Sequence, residues 1–274
     1  MTKARKNTWW KTAAALGIVV FHFIPFYILV SVALKRQMDT SSRWKMPGYL
    51  QMDNFSTALA KGNLVHAVFN TLLITVVAVV LIVLVGAMAA YPLSRVKTKM
   101  NRLILSFIVS VMMVPPLSVL VPLYKTMVAI GGINKFWGII MVSVTYNLPI
   151  SIFLFTNFIA TIPRELDEAG MIDGCSRFGV FYRVVMPALK PVTASVVILT
   201  SVYIWNDYAF QLYFLQKSQC RTITLAIASF FTENASDLNA GAAAALLAIV
   251  PPILLYLSMQ KYFIKGIADG AVKG

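Results

Sequence analysis

Charge is scarce in this sequence, and acidic charge scarcer still: 12% of the 274 residues are charged, with 10 Asp and Glu against 24 Lys and Arg. Soluble domains carry about 25% charged residues, so a chain that is 59% hydrophobic, with a mean hydropathy of +0.76, belongs in a bilayer. Histidine occurs only at His22 and His66, and cysteine only at Cys175 and Cys220. Residues so far apart supply neither a metal-ligand cluster nor a nucleophile–histidine relay, and the histidines read as interfacial or helix-packing residues. No glycine is followed directly by lysine, so the phosphate-cradling end of a P-loop is missing and the chain is not its own ATPase by that route. Neither enzymatic activity nor a bound cofactor is expected. The net charge of +14 would suggest nucleic acid in a soluble protein. Here the basic residues fall between apolar runs, where the lipid surface is the simpler partner and nucleic acid is not expected.

What the chain has in abundance is apolar runs near the ~20 residues that cross a hydrocarbon core. Six are found, at 12–34, 69–91, 103–124, 136–159, 192–212 and 241–264. Unsatisfied backbone groups are prohibitive in lipid, so each is expected to be a helix. The fold class is therefore all-α, a polytopic membrane protein of six transmembrane helices forming a single transmembrane domain over 1–274. Pro25, Pro115, Pro116, Pro122, Pro149, Pro251 and Pro252 fall within the runs and are read either as kinks that splay helices around a pathway or as ordinary membrane-helix prolines. With both termini inside, fifteen Lys and Arg lie on the inner side and nine on the outer. This bias places both termini in the cytoplasm. The first run has a basic start and a small-residue stretch at Ser31, Val32 and Ala33, but it is longer than a signal peptide's apolar region and is read as a retained helix. Cys175 and Cys220 then face opposite sides and cannot pair.

The inner loop at 161–190 carries the most information. Pro163 suits the first position of a helix, and Glu165, Asp167 and Glu168 follow where acids complement the helix dipole. Gly174 can close that helix in a left-handed cap, and Ser176 can open another before Pro187 leads back to the membrane. Helix, sharp turn and second helix make an ordered loop, which implies that it packs against something. Its alternative is a solvated acidic turn.

Glu168, Ala169 and Gly170, three residues, Gly174, nine residues, Val184, Val185, Met186 and Pro187 resemble the cytoplasmic "EAA" loop of importer permeases that pair with ATP-binding-cassette subunits. Gly170 stands where that pattern has a second alanine and Met186 where it has leucine. Further matches at Pro122-Leu123-Tyr124, Gly132-Ile133-Asn134, Ile162-Pro163, Trp205-Asn206-Asp207, 262–266 and 270–274 resemble the carbohydrate branch, in the manner of the smaller permease of maltose-type importers. The resemblance implies a coupling helix that carries the motion of an ATPase into the membrane. Glu168, Ala169, Gly170, Asp173, Gly174 and Pro187 would form the coupling element, Ala169 and Gly170 allowing close approach and Glu168 accepting charge-assisted hydrogen bonds. It further implies a homologous second permease, two cytoplasmic ATP-binding subunits and an extracytoplasmic solute-binding protein as partners, the last facing the outer loop near 213–240. The host membrane is the cell (inner) membrane of a bacterium or archaeon.

Asp207 is the acidic residue within an apolar run, flanked by Trp205, Asn206 and Tyr208. Charges at membrane depth face a cavity or a partner, so the trio Trp205, Asn206 and Asp207 either lines the outer mouth of the pathway or forms a structural hydrogen-bond hub. The expected function is import of a carbohydrate or sugar-like solute. The alternatives are an importer of another solute class and a secondary transporter, for which only Asp207 and His22 offer ionisable groups.

Overall fold

The computed structural model describes residues 9–232 and 237–271, with 262–271 described by their backbone alone. The described residues are helical with no strand. In chain order the helices are α1 (Trp9–Ala33), α2 (Asp53–Lys61), α3 (Leu64–Arg95), α4 (Lys99–Val111), α5 (Leu120–Ala129), α6 (Phe136–Thr161), α7 (Glu165–Ile172), α8 (Arg177–Val180), α9 (Met186–Ala188), α10 (Lys190–Trp205), α11 (Ala209–Phe214), α12 (Ile223–Ala228) and α13 (Leu238–Ala271). Of the terminal matches, 262–266 and Gly270 and Ala271 lie in the backbone of α13, and 272–274 lie outside the described residues.

Four helices, α1, α3, α6 and α13, are each long and apolar enough to cross a membrane. The number is six when each of two bent pairs is counted as one span: Lys99–Val111 with Pro116–Ala129, bent by 93°, and Arg177–Ala188 with Lys190–Trp205, bent by 75°. The third and fifth apolar runs are thus not single straight helices. In the third, Pro115 and Pro116 disfavour helix in the residues before them, so α4 ends at Val111 and the chain passes through an extended Pro115 (φ −61°, ψ 129°) into a 3-10 turn and α5. In the fifth, α10 stops at Trp205, and α11 restarts the helix after Asn206, Asp207 and Tyr208. Pro25, Pro149, Pro251 and Pro252 stay inside continuous helices.

The chain divides into two compact units, one of Met1–Val65 with Ala226–Ile249, the other of His66–Leu225 with Val250–Gly274. In the first, two asparagines satisfy the carbonyls left open at the end of α1. Asn54 Nδ2 donates to Ala33 O and Lys35 O, both at 2.7 Å, and Asn239 Nδ2 donates to Val32 O (2.8 Å) and Lys35 O (3.0 Å). Lys35, counted among the outer basic residues, is buried and spends its ammonium on Ser41 Oγ (2.8 Å) and Ser42 O (2.7 Å). Beside it, the Ser41 side chain, the Tyr49 hydroxyl and the Ser41 amide hold the Asp39 carboxyl below the usual carboxylate range.

In the second unit Ile74, Ala78, Ile82, Ala87 and Ala90 of α3 share a core with Ile139, Ile152, Phe155 and Ile159 of α6. The approach of these helices is close at Gly86, where an added Cβ would run into Ser151, and Ser151 Oγ donates to Ile82 O at 3.2 Å. The segment 213–225 is knit to this core by polar contacts. Asn70 Nδ2 donates to Gln219 O (3.0 Å) and Arg221 O (2.9 Å), and Asn134 Oδ1 accepts from Lys217 N at 2.8 Å. Both histidines sit near helix backbone or loop carbonyls: His22 Nδ1 lies 2.7 Å from Ile18 O, and His66 Nε2 lies 3.1 Å from Gln219 O.

Candidate functional site: the capped loop between α6 and α10

The α7 helix begins at Glu165, two residues later than Pro163 in its first position would place it, because Arg164 is the N-cap and its O takes the first amides, Asp167 N (2.9 Å) and Glu168 N (3.1 Å). Pro163 therefore precedes the cap instead of occupying the first turn. The C-terminal end follows the sequence reading closely. Gly174 has φ +83°, its amide donates to Met171 O (3.0 Å), and Cys175 N reaches back to Gly170 O (3.0 Å). These two bonds are the Schellman pattern, which satisfies helix carbonyls and turns the chain. Ser176 Oγ then caps α8 by accepting from Gly179 N at 3.2 Å. The second short helix is less regular than expected, passing through a π turn at Phe181–Val185 before Met186 and Pro187.

The faces of α7 are sharply divided. Asp167 and Gly170 are buried, while Leu166, Glu168, Ala169, Met171, Ile172 and Asp173 are exposed. Gly170 faces inward: an added Cβ would lie 3.2 Å from Val180 Cγ2 and 3.3 Å from Val184 Cγ2. Its small size thus serves the loop's own packing. Ile172, 86% exposed, with Leu166, Met171 and Phe178, leaves apolar side chains on the outside of an ordered loop.

The buried face holds residues that the motif did not single out. Arg95, the last residue of α3, forms a bidentate pair with Asp167: Nε donates to Oδ2 and Nη2 to Oδ1, both at 2.9 Å. Arg95 Nη1 also donates to Ile162 O (2.9 Å) and Ile159 O (3.2 Å) at the end of α6, and Tyr91 Oη donates to Asp167 Oδ2 at 2.9 Å. Arg164 Nη2 returns a bond to Arg95 O at 3.1 Å. This is the one ion pair among the described residues, and both side chains are 10% exposed. A groove of about 530 Å³ runs beside it, lined by Met88, Tyr91, Arg95, Glu168, Arg177 and Phe178 among others. The available signal was Arg95 itself, a cation closing a long apolar helix, and its partner could not be read from spacing.

Trp205, Asn206 and Asp207 lie together where α10 ends, and they do different things. Trp205 is buried and lines a narrow apolar cavity of about 310 Å³ with Pro251, Pro252 and Leu255. Asn206 Nδ2 donates to Val202 O (2.8 Å). Asp207 Oδ1 accepts from Phe210 N (3.2 Å) in the first turn of α11, and Asp207 O accepts from Thr224 Oγ1 (2.9 Å). None of the three lines the cavity of about 640 Å³ opened by the bend between α4 and α5. Its polar lining comes from Thr126, Thr145, Tyr146, Asn147 and Tyr203.

Residues 82–269 match the model of the binding-protein-dependent transport system inner membrane component family. The chain is 43% identical over 264 residues to the melibiose/raffinose/stachyose import permease protein MelC of Bacillus subtilis (strain 168), covering 96% of each. It is 33% identical over 261 residues to a probable starch degradation products transport system permease protein, AmyC, of Thermoanaerobacterium thermosulfurigenes, covering 94% of this chain and 95% of that one. Its fold matches a chain in the crystal structure of a bacterial ABC transporter involved in the import of the acidic polysaccharide alginate, with a TM-score of 0.78 at 19% identity, over 96% of this chain and 99% of the other. The capped inner loop and the apolar helices thus sit in a familiar setting, and the chain belongs to the family of binding-protein-dependent transport system inner membrane components.

Proposed function

We propose that the chain is one permease subunit of an ATP-driven carbohydrate importer, its two units acting as a single permease domain with both termini in the cytoplasm. It forms half of the translocation pathway beside a homologous second permease. The α7 segment docks on one of two cytoplasmic ATP-binding subunits, and the outer face receives the solute-binding protein. The observation that carries this reading is the loop: a helix closed by a Schellman turn, rigid at both ends, with Leu166, Met171 and Ile172 left exposed outside the apolar runs. An element that transmits force must be stiff and must present a surface, and this one has both properties. Carbohydrate is favoured by the names of the relatives, among them MelC and AmyC. Hydroxyl and aromatic groups at Tyr146 and Tyr203 suit a hydroxyl-rich solute, since ring faces stack on sugars and hydroxyls exchange hydrogen bonds with them.

The test replaces Gly174 with valine and reverses Glu168 to lysine in the assembled transporter. Space around Gly174 is open to an added Cβ, so the strain expected of valine comes from φ +83°. That strain is about 1–3 kcal/mol for a β-branched residue, enough to misaim the docking helix. Both variants should reach the membrane but co-purify with less ATPase and drive less uptake of labelled raffinose. Wild-type ATPase recovery and wild-type uptake in both would sink the coupling assignment. Intact ATPase stimulation with no uptake of raffinose or other oligosaccharides would sink the carbohydrate assignment alone.

A further inference from the structure

We propose that Arg95 is a positioning residue for coupling, fastening α7 to the ends of α3 and α6 so that the three move as one body. This rests on reading α7 as the docking element. A docked helix joined to the membrane part only through flexible backbone would tilt under load and lose the stroke. The described structure supplies the missing tie. Arg95 reaches two elements with one planar group: its Nε and Nη2 hold both carboxylate oxygens of Asp167 on α7, and its Nη1 holds Ile159 O and Ile162 O at the end of α6. Tyr91, one turn earlier on α3, adds a third bond to the same carboxylate, and Arg164 closes the circuit onto Arg95 O.

The choice of residues fits a positioning role better than a contribution to stability. A largely buried ion pair is no more stabilising than apolar residues of the same volume, because desolvation offsets the attraction. Its advantage is directional, since a bidentate fork fixes angle as well as distance. Lysine has the charge without the fork, so it can hold Asp167 at one point but cannot also take the α6 carbonyls in the same plane.

Arg95→Lys in the complete transporter, reconstituted in vesicles, should keep ATPase bound while uptake per ATP hydrolysed falls about tenfold, the size of an ordinary coupling term. A second variant separates tethering from folding. With Cys175 and Cys220 changed to serine, Arg95→Cys with Asp167→Cys should be uncoupled as free thiols and recover most of the lost uptake per ATP once joined by a short bis-maleimide. Wild-type coupling in Arg95→Lys, or a cross-linked pair that stays uncoupled, would overturn the proposal. Gly174→Val distinguishes its failure from that of the docking reading. If Gly174→Val loses ATPase while Arg95→Lys is normal, only the latch falls; if both are normal, α7 is not the docking element and the latch falls with it.

Discussion

Asp207 accepts a backbone amide three residues ahead, and that geometry gives the carboxylate a local task at the start of α11. Asparagine can accept the same amide whereas alanine cannot, so the two substitutions separate charge from capping. Asp207→Asn is expected to leave stability and uptake near wild type, and Asp207→Ala to lower stability by about 1 kcal/mol, read as thermal unfolding of the detergent-solubilised complex. If Asp207→Asn keeps full stability yet loses uptake, the carboxylate belongs to the solute path after all. At this scale the sequence was readable where a residue type has a narrow conformational use. Gly174 was identifiable as a left-handed cap and Ser176 as a helix opener because few residues do those jobs, and both stand there. Asp167 was not distinguishable from Glu165 and Glu168, which share its first-turn position. What sets it apart is Arg95, 72 residues away, and no local pattern reports a partner at that separation.

Helices α3 and α6 approach closely at Gly86: a Cβ there would meet Ser151 directly and lie 3.6 Å from Phe155 Cδ2. In lipid, helix association depends on this kind of close backbone approach. Gly86→Val should therefore force the pair apart at a cost of about 1–3 kcal/mol or more, lowering the amount of subunit recovered from membranes and its unfolding temperature. Gly17 on α1, with nothing within 4 Å of an added Cβ, is the matched control, and Gly17→Val should be recovered at wild-type level. Equal recovery of both variants would mean that the α3–α6 contact does not support the subunit. Continuous elements were legible because composition alone defines them: α1, α3, α6 and α13 each coincide with a long apolar run. The bent ones were not, since hydrophobicity continues unbroken through Val114, Pro115 and Pro116 while the backbone does not. Likewise α11 is apolar enough to read as a continuation of α10, yet Asn206 and Asp207 interrupt the helix between them.

Across the whole molecule, the topology rests on where basic residues fall, and the two native cysteines offer a direct test of it. Cys175 lies in the capped loop before α8, Cys220 lies beyond α11, and the bent pair Arg177–Ala188 with Lys190–Trp205 runs between them. Read as one crossing, as the proposed orientation has it, that pair would put the two thiols on opposite faces of the membrane. The family assignment was legible at this scale because Glu168, Gly174 and Pro187 keep fixed spacing in a loop whose physics is independently unusual; the cavity was not, since Thr126, Thr145, Tyr146, Asn147 and Tyr203 converge only after the α4–α5 bend brings them together. For the labelling, both thiols are half-buried, and Cys220 Sγ also donates to Asn134 O at 3.4 Å, so reaction will be slower than at an exposed position. Rate is therefore a poor guide and sidedness a good one. In intact cells an impermeant maleimide should modify Cys220 and leave Cys175 untouched; after the membrane is opened, Cys175 should react as well. Met38→Cys, at a site 90% exposed in the segment after α1, supplies the outward standard, and Lys99→Cys, exposed at the start of α4, the inward one. If Cys175 reacts in intact cells together with Met38→Cys, the inner loop is outside, no cytoplasmic ATPase can reach α7, and the six-span orientation is wrong.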